Sequence, residues 1–118
     1  MPDSDVHARA RREDLVEEEV AAIAEVVHAL GAPSRVRLLY ALRDGELAVG
    51  ELASRTGLHP SAASQQLRVL RHLRLVATRR AGRSILYRLH DAHVAVLLVE
   101  ARSHLEHAAH GWADPVPS

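Results

Sequence analysis

Four side chains toward the C-terminal end carry donor atoms at a spacing that could do chemistry: Asp91, His93, His104 and His107. They lie in the run Asp91-Ala-His93-Val-Ala-Val-Leu-Leu-Val-Glu-Ala-Arg-Ser-His104-Leu-Glu-His107-Ala-Ala-His110. The run predicts one helix. Asp91 is a good N-cap, no proline interrupts the run, and Gly111 follows its end. Leu97, Ala101 and Leu105 recur at helical spacing and predict an apolar face. His93 and His104 are eleven residues apart. They point the same way to within roughly 20° but stand roughly 16 Å apart along the axis. Metal–nitrogen bonds of about 2.0–2.1 Å cannot close that gap. Asp91 with His93 is therefore one half-site, and His104 with His107, an i, i+3 pair, is another. The two can meet only if a second copy of the helix packs antiparallel, which places two sites in each dimer. Three imidazoles and a carboxylate suit a borderline divalent transition metal. One histidine on a helix surface is ordinarily just a surface residue; the spacing of the set makes the argument.

Four N/O ligands would hold tetrahedral Zn(II) or Co(II), whereas nickel needs further donors. His110 lies one short turn beyond His107, and His7 sits on the N-terminal arm. Either could complete a larger shell. The alternative reading of His110 is a favourable cation at a helix C-terminus. That of His7 is a histidine on a free tail.

The elements that must position these groups can be read from the rest of the chain. A length of 118 residues suits one small domain. There is no Phe, so the core must be Leu, Val, Ile and Ala; there is no Cys, which excludes disulfides and thiolate metal sites. The 15 basic residues balance 15 acidic ones, but unevenly. Asp3, Asp5, Glu13, Asp14, Glu17, Glu18, Glu19 and Glu25 crowd the first 25 residues. Residues 52–90 hold no acid and eight arginines, a local net charge of +8 that predicts a polyanion-binding face. No apolar run is long enough to span a membrane, and the polar, acidic N-terminus does not read as a signal peptide, so a cytoplasmic protein is expected.

Leu15, Val16, Val20, Ile23, Val27 and Leu30 give a helical stripe over Arg12–Leu30, ended by Gly31. A second helix is expected over Pro33–Arg43, burying Val36, Leu39, Tyr40 and Leu42, before the Asp44-Gly45 turn. A short helix over Val49–Thr56 turns Leu52 and Ala53 inward and breaks at Gly57. A fourth runs from Pro60 to Leu73 with Ala63, Leu67 and Leu70 buried. The period then changes. Strands are expected at 75–80 and 84–89, joined as a hairpin by Ala81-Gly82-Arg83.

Helix, turn, helix and basic hairpin describe a winged helix-turn-helix whose second helix enters the major groove. Ser61, Ser64, Gln65, Gln66 and Arg68 are its expected exposed positions. Gln can pair bidentately with adenine and Arg with guanine. Arg79, Arg80 and Arg83 on the hairpin would grip flanking phosphates.

These residues resemble a known family. Gly57, Ser61-Ala-Ala-Ser64-Gln65-Gln66-Leu67-Arg68-Val-Leu70, Leu75-Val76, Arg80-Ala-Gly82-Arg83-Ser-Ile-Leu-Tyr87 and Asp91-Ala-His93 are similar to the ArsR/SmtB metal-sensing repressors, over about Ala29 to Gly111. Within that family the likeness is greatest to its nickel/cobalt sensors. The resemblance implies that Asp91, His93, His104 and His107 match the family's metal site on its last helix. It implies a homodimer formed by the first and last helices, with metal-free protein bound to double-stranded operator DNA and released by metal. Ni(II)/Co(II) is favoured on that likeness, with Zn(II) the alternative. The chain departs from the pattern in three places. Ala53 and Arg55 stand where the thiolate site of some members would be. Gln66 stands where His is common, which leaves operator sequence open. The Gly-His start of the nickel sensors is absent, with His7 or His110 as substitutes.

The expectation is thus a mainly α fold with a small β-hairpin wing: residues 1–11 an arm, 12–111 the domain, 112–118 a tail. The function expected is metal-responsive repression. The alternatives are a winged-helix repressor answering to a non-metal effector, or a metal-binding protein without DNA binding. A metallohydrolase would need an open coordination position and a nearby general base; Glu100 and Glu106 are available carboxylates, but the site is a closed interface with no substrate pocket implied, so no enzyme is expected.

Overall fold

The computed structural model describes residues 14–108. Helix α1 spans Glu17–Leu30, α2 Pro33–Ala41, α3 Val49–Thr56 and α4 Pro60–His72. A two-residue strand β1, Leu47–Ala48, stands between α2 and α3. Strands β2, Val76–Ala81, and β3, Ser84–Leu89, form the wing, and α5, Ala92–His107, follows it. The expected arm 1–11, the start of the domain at Arg12, its end at Gly111 and the tail 112–118 lie outside the described residues.

The core is leucine. Leu38 and Leu39 of α2, Leu52 of α3, and Leu67 and Leu70 of α4 have no exposed surface, and Ala63, Leu42 and Val76 fill in around them. Each such leucine contributes about 1.5–3 kcal/mol by leaving water. The residues expected to be buried on α3 and α4 are the ones that are. On α2, Leu38 joins Leu39 and Leu42, while Val36 and Tyr40 are only half-buried. Gly57 takes φ +73 and lets the chain reverse between α3 and α4, with the Leu58 amide returning to the Ala53 carbonyl at 3.1 Å. α4 ends in the same way with an arginine in the glycine's place. Arg74 takes φ +59, and the Arg74 and Leu75 amides donate to the Arg71 and Leu70 carbonyls at 3.0 and 2.8 Å.

The structure corrects several expected boundaries. Asp14–Val16 precede α1 rather than belong to it. Val16 is extended, its amide donates to Glu19 Oε1 at 3.3 Å, and Glu17, Glu18 and Glu19 form an acidic first turn that suits a helix N-terminus. α2 stops at Ala41, with Leu42 as its cap. The wing has a third strand: β1 pairs antiparallel with β3 through Leu47↔Tyr87 and Ala48↔Leu86, giving the order β1-β3-β2. Two residues are too few for an alternating pattern, so nothing local announces this strand. Ala81 is within β2, pairing with Ser84, and Leu75 is a buried residue just before the strand.

Two apolar stripes do not face this core. On and just before α1, Leu15, Val16, Val20, Ile23 and Val27 are 40–61% exposed. On α5, Leu97 and Leu105 are 42% and 67% exposed, and Ala101 is exposed too. The side that α5 turns inward is Val94 and Leu98 instead.

Leu67→Ala is expected to lower the unfolding free energy by about 2–5 kcal/mol, read from urea denaturation. Gly57→Ala should cost about 1–2 kcal/mol from the left-handed backbone alone, because no atom lies within 4 Å of an added Cβ there. A neutral Gly57→Ala would show that the turn relaxes.

Candidate metal half-sites and nucleic-acid interface

The start of α5 is built by one carboxylate. Asp91 is extended, and its Oδ1 accepts from the His93 amide at 2.9 Å and the Val94 amide at 3.3 Å. Its Oδ2 lies 3.1 Å from His90 Nδ1. His93 Nδ1 is 3.5 Å from Asp91 Oδ1, and the His93 side chain is 96% exposed. The His90 hydrogen bond, the Val94 and His93 amides and the charge of His93 together hold the Asp91 carboxyl below its usual range. Asp91 is therefore an ionised donor beside an outward-facing imidazole.

His104 and His107 occupy the last turns of α5 and are exposed. Among the described residues of one protomer, no three His, Asp or Glu side chains come together in a group able to hold a metal ion. One chain thus brings Asp91 and His93 together and keeps His104 and His107 at the other end of the helix, as the rise per residue requires. His7 and His110 lie outside the described residues. His90 was not singled out from sequence as a partner of this site. Its adjacency to Asp91 was the available signal.

On α4, His59 is the N-cap. Its Nδ1 lies 3.2 Å from the Ser61 amide, which donates to it, and 2.8 Å from Ser61 Oγ. A ring that accepts at Nδ1 carries its proton on Nε2 when neutral. Ser61, Gln65 and Arg68 lie on the exposed side of α4, and Ser64 is half-buried. Gln66 departs from expectation. It sits on the flank of α4, half-buried, and its Oε1 accepts from Arg35 Nε of α2 at 2.7 Å. Bidentate adenine recognition needs that oxygen, so in this conformation Gln66 is committed inside the protein. A contact of this kind joins residues 31 apart and has no local signal.

On the wing, Arg80 and Arg83 are exposed. Arg79 is exposed as well but already paired, with its Nε 2.9 and 2.7 Å from the two carboxylate oxygens of Glu46. The guanidinium holds the Glu46 carboxyl below the usual carboxylate range and is itself raised by it. A phosphate would compete with Glu46 for Arg79, whereas it would meet Arg80 and Arg83 on the open wing.

The profile described as "Bacterial regulatory protein, arsR family" matches residues 32–78, the segment from α2 into β2. The chain is 48% identical over 114 residues to the HTH-type transcriptional regulator NmtR of Mycobacterium tuberculosis, covering 96% of this chain and 95% of that one. The chain belongs to the ArsR family of bacterial regulatory proteins. Among solved structures, that of apo-NmtR in solution matches with a TM-score of 0.68 and 50% identity, covering 89% of this chain and 88% of that one. The homodimeric winged helix-turn-helix DNA-binding domain of a Mycobacterium bovis protein matches with a TM-score of 0.74 and 29% identity, over 82% of this chain and 94% of that one. The fold is thus the winged helix-turn-helix expected from sequence. As an ArsR-family member, this protein is a transcription regulator and not an enzyme.

The Asp91 cap predicts a pH dependence. Its folded pKa lies below the usual 3.8, so the contribution of the cap is fully present above 3.8 and is lost as pH falls through the depressed value. The protection factors of the His93 and Val94 amides, their exchange relative to an unstructured chain at the same pH, should therefore hold until pH drops below 3.8. In Asp91→Ala that protection should be low at every pH. Equal protection in the two proteins would remove the carboxylate from the cap.

Proposed function

We propose that this chain is a metal-responsive transcriptional repressor whose metal-free homodimer binds operator DNA and whose metal-bound form lets go. One observation carries the reading. The ionised Asp91 with the outward-facing His93, and His104 with His107, stand at opposite ends of one helix, and beside them runs an uncovered apolar stripe. Antiparallel packing of a second α5 along Leu97, Ala101 and Leu105 brings Asp91 and His93 of one protomer toward His104 and His107 of the other. The exposed stripe of α1 offers the second half of that interface.

The donor set fits a divalent transition ion: it is all nitrogen and oxygen, and the carboxyl is held ionised. Asp91, His93, His104 and His107 would hold it, with His110 or His7 as further ligands. Likeness to the family's nickel/cobalt sensors favours Ni(II) or Co(II), with Zn(II) the alternative. When bound, the ion supplies a tie between two polypeptides. The protein's own residues do the rest. Ser61, Gln65 and Arg68 on α4 meet the major groove, Ser64 lies on the flank, and Arg80 and Arg83 meet phosphates. Two α4 helices in a dimer must match successive major grooves about 34–36 Å apart. A dimer held at another spacing binds DNA less well, and the coupling is reciprocal between metal and operator.

His104→Ala should bind a fragment of the protein's own promoter as the wild type does, yet fail to leave it when nickel, cobalt or zinc is added. A gel shift reads both, and metal-driven release by the variant would remove His104 from the ligand set. Arg83→Ala should weaken binding evenly across sequences and lower the slope of log K against log salt by about 0.9. Arg79→Ala should change that slope less, since Glu46 already neutralises it. An equal loss at the two positions would mean that DNA displaces Glu46.

A further inference from the structure

α2 carries two side-chain bonds that reach in opposite directions. Arg35 Nε donates to Gln66 Oε1 of α4 at 2.7 Å. Tyr40, five residues further along α2, donates its hydroxyl to the backbone carbonyl of Leu98 in the middle of α5, at 2.5 Å. A mid-helix carbonyl ordinarily accepts only from within its own helix, so this tyrosine grips α5 by its backbone rather than by a replaceable side chain. Leu98 is also one of the two α5 residues buried in the protomer, the other being Val94 one turn earlier.

The surroundings of Tyr40 make that grip specific. Two open grooves of about 510 and 590 Å³ flank α5, and Tyr40, Arg43, Leu98 and Arg102 line both. Tyr40 therefore stands in the seam between them. One of the grooves is lined by Leu97, Ala101 and Leu105, the stripe along which a second α5 would pack. A shift of α5 as it packs against a second copy moves the Leu98 carbonyl and strains the bond to Tyr40. At the other bond the orientation is fixed too. A guanidinium has no acceptor, so Gln66 must turn its oxygen to Arg35 and its NH2 away. Arg35 thereby sets the rotamer of a side chain on the reading helix.

We infer that Tyr40 and Arg35 are positioning residues acting in series, so that α2 transmits the attitude of α5 to the recognition helix α4. This rests on the reading of α5 as the sensing helix and says by what route its position reaches the DNA. Neither side chain touches DNA or metal in this scheme. Tyr40 takes up a displacement of α5, Leu38 and Leu39 hold the α2 backbone in the core, and what passes along α2 is a small side-chain adjustment that ends at the Arg35–Gln66 bond.

The test uses Tyr40→Phe, Arg35→Met and the double variant, all as the full-length protein. Affinity for a promoter fragment is measured without metal and with saturating zinc or nickel, and metal affinity is measured separately by chelator competition. One hydrogen bond makes a difference of about three- to tenfold. Each single variant should therefore keep its metal affinity within about threefold. It should lose about three- to tenfold in the ratio of metal-free to metal-loaded operator affinity. The double variant should lose no more than the larger single loss, as for two links of one chain. Arg35→Lys, which restores a cationic donor, should recover part of the ratio. A second measurement needs no metal: the side-chain amide NMR signals of Gln66 should move in metal-free Tyr40→Phe. Unchanged release ratios, additive losses or an unmoved Gln66 signal would overturn the series coupling. If wild-type protein shows no metal-driven release, the proposed sensing function falls, and the Gln66 signal still decides whether Tyr40 and Arg35 are linked.

Discussion

Mutual burial of Leu38, Leu39, Leu52, Leu67 and Leu70 is the constraint on which the rest of this molecule depends. These five side chains join α2, α3 and α4 into one rigid unit, and the wing is sewn to it through Leu75 and Val76. With no phenylalanine and a single tryptophan, the chain builds this cluster from leucine. The first and last helices bury less in one protomer. Ala29 from α1, with Val26 and Leu30 partly buried beside it, and Val94 and Leu98 from α5 are what reach the core. The remaining apolar residues of both helices form stripes that a single protomer leaves in water. A second copy would cover both stripes.

The recognition unit follows from the same rigidity. α4 is closed at its start by His59 and at its end by the left-handed Arg74, and its inner side is locked by Ala63, Leu67 and Leu70. What remains free are short and planar polar groups on the outside of a helix that cannot easily bend. Polar contacts within the protomer then decide which of them are available. Glu46 occupies Arg79, and Arg35 occupies Gln66. Fewer of its polar groups are therefore open to solvent contacts than the arginine content suggests.

Much of this was legible in the sequence because it is periodic or punctuated. α3 and the start of α4 follow from Gly57 and Pro60, and the buried faces of both follow from apolar spacing. The separation of Asp91/His93 from His104/His107 follows from the rise of a helix, which keeps the two pairs from sharing one ion within one chain. Periodicity failed where it does not say against what a stripe packs. The Leu97–Leu105 stripe is apolar as expected but faces outward, and Val94 with Leu98 holds α5 in place. The strand β1 was missed because two residues carry no period and become a strand only where β3 runs beside them.

The sequence alone determined the helices, the wing, the basic middle, the four metal-ligand candidates and the membership of a DNA-binding family, since spacing and local backbone preference are written along the chain. Only the tertiary structure decided which polar groups are already engaged. Arg35 meets Gln66, Tyr40 meets Leu98, Glu46 meets Arg79 and His90 meets Asp91. Three of these four pairs join residues more than 30 positions apart, and the fourth, between neighbours, depends on how the wing delivers the chain to α5. The physical reason is that a hydrogen bond needs its partners within about 3 Å. Folding sets that proximity, and no local pattern encodes it.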